Sequence, residues 1–278
     1  MKKRILTLLL AAVWLLPGGA SASGEGLKAG TVSLPILMYH HIRTDSGACN
    51  DYTILPETFE GDLRYLRDHG YETVSVADLL AYEAGVAELP EKPVMITFDD
   101  GQSSFAAYAL PLLEKYDMCA VLAVVGVFAD EYTESDDRDV TYAYLSWPEL
   151  AELEQSPYVE LAGHSYDMHQ LSARRGCSQM AGESDAAYRA ALEADLELEE
   201  SRFREYLTDQ PVVFAYPYGL FNAVTRQVLA DRGYQVLFTC DGRVNHLNRS
   251  EGELLSLARY NRPFSADRDT FFRKMGIK

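Results

Sequence analysis

Short apolar runs recur along the chain at 34–39, 73–76, 94–98, 120–125, 159–162, 212–216, 235–239 and 254–258. Each is strand-sized, and most are bounded by turn or cap residues, so they predict β-strands. Between them lie amphipathic stretches that predict helices over 56–68, 77–82, 104–116, 147–154, 183–206 and 223–232. Gly70 closes the first of these. The clearest start is Ser146, followed three residues later by Glu149. Ser-x-x-Glu is a capping box that satisfies two free backbone N–H groups, and Pro148 falls in the first turn, where its missing N–H costs little.

Strands alternating with helices imply an α/β fold built on a parallel sheet. Eight strands leave two arrangements, a doubly wound sheet or a distorted (β/α) barrel. No repeat period is present. The acidic, tyrosine-rich stretch 132–144 reads as a surface insertion, and the acidic charge of 183–206 as a solvated helix face.

The N-terminus follows different rules. Lys2, Lys3 and Arg4 precede an apolar run at 5–16, then Pro17-Gly18-Gly19 and the small residues Ala20-Ser21-Ala22. That order predicts a secretory signal peptide over 1–22, and the run falls short of the roughly 20 residues a membrane span needs. Residues 23–32 read as a flexible lead-in to one domain over 33–278, and the localisation as secreted or cell surface. The net charge is −17, and loss of 1–22, with three bases and no acid, takes it to −20. Such acidity argues against nucleic acid and against anionic membrane surfaces, both of which need clustered Lys and Arg.

Four cysteines, Cys49, Cys119, Cys177 and Cys240, match no zinc-cysteine spacing. An exported chain can form disulfides. The positions of Cys119 and Cys240 at the edges of apolar runs favour buried thiols instead.

Reactive side chains gather at three predicted strand ends. Asp99 and Asp100 follow the run at 94–98, with Gly101 next. Adjacent carboxylates at a strand end point different ways, so one can bind a cation while the other acts as a base. His164 and His169, five residues apart, follow the run at 159–162. That spacing suits convergence from a loop better than a helical i,i+4 pair. Tyr39-His40-His41 ends the first strand, where a histidine can serve as general acid. Two imidazoles and a carboxylate suit zinc, cobalt, nickel or iron. The same set serves non-haem iron oxygenases, but a spare carboxylate and a spare histidine favour hydrolysis, which needs a base and an acid. His69 reads as a helix-end residue, and His246 has no reactive neighbour in sequence.

Taken together, these residues resemble the NodB-type polysaccharide deacetylases, carbohydrate esterase family 4. Thr97-Phe98-Asp99-Asp100-Gly101 resembles the first motif of that family, His164-Ser165 with His169 the second, and Phe214-Ala215-Tyr216-Pro217-Tyr218-Gly219 the third. Pro35-Ile36-Leu37-Met38-Tyr39-His40-His41 resembles a histidine motif that most members carry near the C-terminus. Its early position is similar to the circularly permuted branch, which includes poly-N-acetylglucosamine deacetylases.

The resemblance implies a distorted (β/α)7-type barrel with the site at the C-terminal ends of the strands. It implies Asp99 as base, Asp100, His164 and His169 as ligands of a divalent metal, chiefly zinc, and His40 as acid. The backbone N–H of Tyr218 would stabilise an oxyanion. The implied partner is an acetylated polysaccharide, either an N-acetylglucosamine polymer or peptidoglycan. O-acetyl removal from xylan and a non-catalytic carbohydrate-binding relative are the alternatives. Many members carry an arginine in the third motif, where this chain has Ala215 and Tyr216. Arg259 is the expected substitute, with Arg262 the other candidate.

Overall fold

Eight strands form one sheet in the computed structural model, and every pairing within it is parallel. The structure describes residues 30–135 and 137–278, so the expected signal peptide lies outside the described residues. In chain order the strands are β1 (Ile36–Tyr39), β2 (Glu72–Thr73), β3 (Pro93–Phe98), β4 (Ala120–Val124), β5 (Val159–Gly163), β6 (Val213–Ala215), β7 (Val236–Phe238) and β8 (Tyr260–Asn261). Across the sheet the order is β7-β6-β5-β4-β3-β1-β8, with β2 beside the start of β3. Leu257 bridges to Phe238, which returns the chain before β8 to the β7 edge. The sheet curls into a half-barrel, the distorted (β/α) architecture expected from the sequence.

The central strands β1 and β4 are apolar without a break because both of their faces are covered. Leu37, Ile96, Phe98 and Leu122 pack with α1 (Pro56–Asp68), α3 (Leu110–Tyr116) and α5 (Trp147–Leu153). The alternate residues Ile36, Met95, Val121 and Ala162 face a second cluster that includes Leu79 and Tyr82 of α2 (Val76–Glu83). A third cluster joins Phe214 and Leu237 to α6 (Asp185–Tyr206) and α7 (Ala223–Asp231). The remaining helices are α4 (Gly126–Glu134) and α8 (Arg268–Lys274).

Three expectations change. The stretch 254–258 is not a strand: Glu253–Ser256 is a 3-10 turn, and only Leu257 bridges to the sheet. The stretch 104–116 opens with a wide π turn over Phe105–Ala109 before α3 begins. Pro111 explains this, because it has no N–H and its ring crowds the preceding turn, so the ladder widens. The stretch 132–144 is not a surface insertion throughout. Its start belongs to α4, Ala143 is fully buried, and Tyr144 packs on Phe128 with ring centroids 4.4 Å apart.

The capping box at Ser146 and Glu149 forms as expected. Cys49, Cys177 and Cys240 are free thiols, and Cys240 is half-buried rather than buried. Among the described residues no helix is long and apolar enough to cross a membrane.

Candidate active site

The strands run parallel, so their C-terminal ends collect on one side, and the reactive residues follow from there. Strand alternation aims Met95 at the second cluster and carries Thr97 and Asp99 to the same side. His164 follows Ala162 in the same way. Asp100 and Gly101 both have left-handed backbones (φ 74° and 73°), which turns the chain sharply after β3. Asp tolerates that conformation better than most residues, and glycine adopts it freely.

Asp100, His164 and His169 converge, and one ligand atom from each lies within 4.8 Å of the others. Asp100 Oδ1 is 3.6 Å from His164 Nε2 and 3.2 Å from His169 Nε2. Ligands bound at about 2.1 Å in a tetrahedral arrangement stand about 3.4 Å apart, so these separations fit a small divalent cation. Two further observations agree. Asp100 Oδ1 is buried without a hydrogen-bond partner. His164 Nδ1 lies 2.7 Å from the carbonyl oxygen of Ala215, to which it must donate, and this leaves the Nε2 lone pair facing Asp100.

Burial lowers the His164 pKa to about 4, against the pull of Asp99, so the ring is neutral, as a metal ligand must be. For Asp100, burial is outweighed by His169, His40 and His164, which hold the carboxyl well below the usual range. Burial also presses His169 down, but Asp100 outweighs it and raises this imidazole.

Asp99 sits beside this cluster, almost fully buried. Arg259 grips it with two hydrogen bonds, Nη1 to Oδ1 at 2.6 Å and Nη2 to Oδ2 at 2.8 Å. Arg259 is itself fully buried and is tied to Thr97 Oγ1 and to the carbonyl of Thr239. Burial pushes the Asp99 carboxyl up, but Arg259 and then His164 outweigh it, and the pKa falls below the ordinary value. Arg262 does not reach Asp99; it pairs with buried Asp62 at 2.8 Å. Tyr216, at the place of the missing third-motif arginine, stacks on Phe221 within the third cluster.

The two N-terminal histidines separate clearly. His41 is buried, with ring nitrogens 2.8 Å from Ser104 Oγ and 3.1 Å from the Thr141 carbonyl, so it ties loops together. His40 has a buried Nδ1 with no hydrogen-bond partner, and its ring meets Tyr52 edge-on at 5.0 Å. It follows Tyr39, whose carbonyl accepts from the Asp99 N–H at 3.0 Å, so it borders the same site.

Tyr218 sits in the tight turn Pro217–Gly219 with φ 59°. Its ring lies 4.7 Å from that of His169, and its hydroxyl donates to the His169 carbonyl at 3.2 Å. His69 caps the end of α1, and His246 pairs with Ser33 on a small separate ribbon, both away from this chemistry.

Sequence reasoning missed two acids. Asp195 and Glu199 of α6 are buried and hydrogen-bond the backbone of the His164–Asp167 turn. The acidic face of this helix is therefore not wholly solvated. The signal was present: Tyr188, Leu192, Leu196 and Phe203 mark the buried stripe of α6, and residues 195 and 199 fall on it.

A family model for polysaccharide deacetylases matches residues 87–237. The chain belongs to that family. Among its relatives it is 28% identical over 224 residues to the poly-beta-1,6-N-acetyl-D-glucosamine N-deacetylase of Escherichia coli K12, covering 74% of this chain and 33% of that protein. It therefore spans about a third of that relative's length. The enzyme of the same name from Staphylococcus aureus MRSA252 is 25% identical over 218 residues, covering 74% of this chain and 71% of that one.

Among solved structures, the de-N-acetylase of Aggregatibacter actinomycetemcomitans superposes with a TM-score of 0.74 at 22% identity, covering 87% of this chain and 100% of that one. IcaB from Ammonifex degensii gives 0.69 at 23%, covering 88% and 96%. These likenesses show a shared fold. In this member of the family, His40 and Arg259 lie outside the matched residues 87–237, and folding brings both beside Asp99.

Proposed function

We propose that this chain is a metal-dependent N-deacetylase acting on a β-linked N-acetylglucosamine polymer. The observation that carries the reading is the convergence of Asp100, His164 and His169 next to an arginine-gripped Asp99 and a His40 whose buried Nδ1 has no hydrogen-bond partner. Family membership supports the reaction class, and the relatives' names support the polymer.

Asp100, His164 and His169 would hold one divalent cation, with zinc the first choice and cobalt, nickel and iron compatible with the same donors. Such a cation polarises a carbonyl oxygen and activates water. Asp99, kept ionised by Arg259, takes a proton from the attacking water. His40 gives a proton to the departing nitrogen, and the products are acetate and a free amine. The backbone N–H of Tyr218 donates to the oxygen that gains charge in the transition state.

The catalytic domain is taken as 33–278, after a cleaved signal peptide over 1–22 and a lead-in over 23–32, which makes the enzyme secreted or surface-bound. The test is acetate release from poly-β-1,6-N-acetylglucosamine oligomers, chitin oligomers, peptidoglycan and acetylxylan, each with and without chelator. Chelator-sensitive release, fastest from the first substrate, is expected. Preference for acetylxylan would make the chain an O-acetyl esterase, and no release from any substrate would make it a non-catalytic carbohydrate-binding relative.

A further inference from the structure

The turn that carries His164 is gripped from both sides through its peptide groups. On one side, the carbonyls of Ser165 and Tyr166 accept from the N–H groups of Gly126 and Val127, at 3.0 and 2.8 Å. On the other, the N–H groups of Tyr166 and Asp167 donate to the two oxygens of Asp195, both at 2.8 Å. The N–H of His164 is shared between Glu199 Oε1 at 2.9 Å and the carbonyl of Val124 at 3.0 Å. The close approach of Glu199 depends on Gly163, where a Cβ would stand 2.7 Å from Glu199 Oε2. Ser165 holds φ 73°, a conformation that an L-residue adopts only when its surroundings enforce it.

Asp195 and Glu199 stand one helical turn apart on α6, so both face the same turn. Among the described residues, no ion pair forms with either acid. Two buried acids with no ion-pair partner cost stability, which their hydrogen bonds to the turn only partly offset. We propose that Asp195 and Glu199 are positioning residues for the metal centre. They fix the peptide groups of 164–167, and through them the directions from which His164 and His169 meet Asp100. The inference rests on the metal-site reading above.

The two acids predict different responses to amide substitution. Asp195 uses both oxygens as acceptors, so Asp195→Asn must turn an NH2 towards a peptide N–H and lose one bond. Glu199 uses only Oε1, so Glu199→Gln keeps its bond, whereas Glu199→Ala removes it. The experiment measures the Co(II) and Zn(II) dissociation constants of the full chain by competition with a chromophoric chelator. The visible spectrum of the Co(II) form and the Tm are recorded in parallel. Glu160→Gln is the stability control, since Glu160 accepts from the Val76 N–H at 2.7 Å, at the start of α2.

Partners one step behind a metal ligand typically change affinity 10- to 100-fold. Asp195→Asn and Glu199→Ala should therefore weaken metal binding by about 10-fold or more and alter the Co(II) spectrum. Glu199→Gln and Glu160→Gln should leave both unchanged. If Glu199→Ala does not fold, Asp195→Asn against Glu199→Gln decides. Wild-type affinity and spectrum in Asp195→Asn would overturn the positioning role while leaving the metal site standing. Failure of the wild-type chain to bind either ion would overturn the metal reading itself.

Discussion

At the scale of single residues, the site is a division of labour among groups whose environments differ. Asp99 and Asp100 are neighbours in sequence, yet one meets Arg259 and the other two imidazoles. Asp99→Asn should therefore keep the metal and lose activity, because an amide cannot take a proton from water. His40→Ala should behave alike, each falling on the order of 10²–10⁴-fold. His40→Ala should suffer more on the amide than on an activated ester, whose leaving group needs less protonation. Equal losses on both substrates, measured by acetate release, would remove His40 from the acid role.

Arg259 gives a pH prediction whose sign follows from the geometry. Its charge lowers the Asp99 pKa, so Arg259→Met lets that pKa rise, and the acidic limb of the kcat/KM profile should move to higher pH. Arg262→Met, which disturbs Asp62 instead, should lower the Tm without moving that limb. A shifted limb in Arg262→Met alone would reverse the assignment.

At the scale of elements, the ends of strands and helices carry the tolerances. Gly163 closes β5, and a Cβ there would meet Glu199 Oε2 at 2.7 Å and the Phe214 ring at 3.0 Å. Neither neighbour can retreat easily, because one is held on α6 and the other in the third cluster. Gly163→Ala should cost about 1–3 kcal/mol, as overpacked cores do, and denaturant unfolding would measure it. The α5 capping box offers a milder case. Ser146→Ala should cost about 0.5–2 kcal/mol without changing activity, since Ser146 serves the first turn of α5 rather than the site. An activity loss larger than the stability loss would show that α5 helps to shape the cleft.

At the scale of the whole molecule, the parallel sheet gathers β1, β3, β5 and β6 so that His40, Asp99, Asp100, His164 and Tyr218 emerge at one end. A ligand bound by residues from two separate loops ties those loops together only in the folded state. Metal should therefore raise the Tm, by an amount corresponding to about 2.7 kcal/mol when free metal is 100-fold above its dissociation constant. Calorimetry with Zn(II) and with chelator tests this, and His169→Ala should abolish the difference. A chelator-insensitive Tm in the wild-type chain would argue that no metal bridges the loops.

Local pattern was enough for most of the strands and their alternation with helices, because a strand covered on both faces is largely apolar. It was also enough for the capping box at Ser146, which is closed by residues three apart. The segments 254–258 and 104–116 were misread for equally local reasons: an apolar run need not pair as a strand, and a proline can widen a helix without ending it. The reactive side chains at 40, 99, 100, 164 and 169 were legible as types at strand ends. Their grouping was not, since it joins residues far apart in sequence. Tertiary structure alone decided that Arg259 rather than Arg262 meets Asp99, that the Nδ1 of His40 rather than that of His41 is left without a hydrogen-bond partner, and that two acids of a charged helix turn inward. The physical reason is common to all three. A charged side chain reads the same in sequence whether water or a buried partner satisfies it, and only packing determines which of the two it meets.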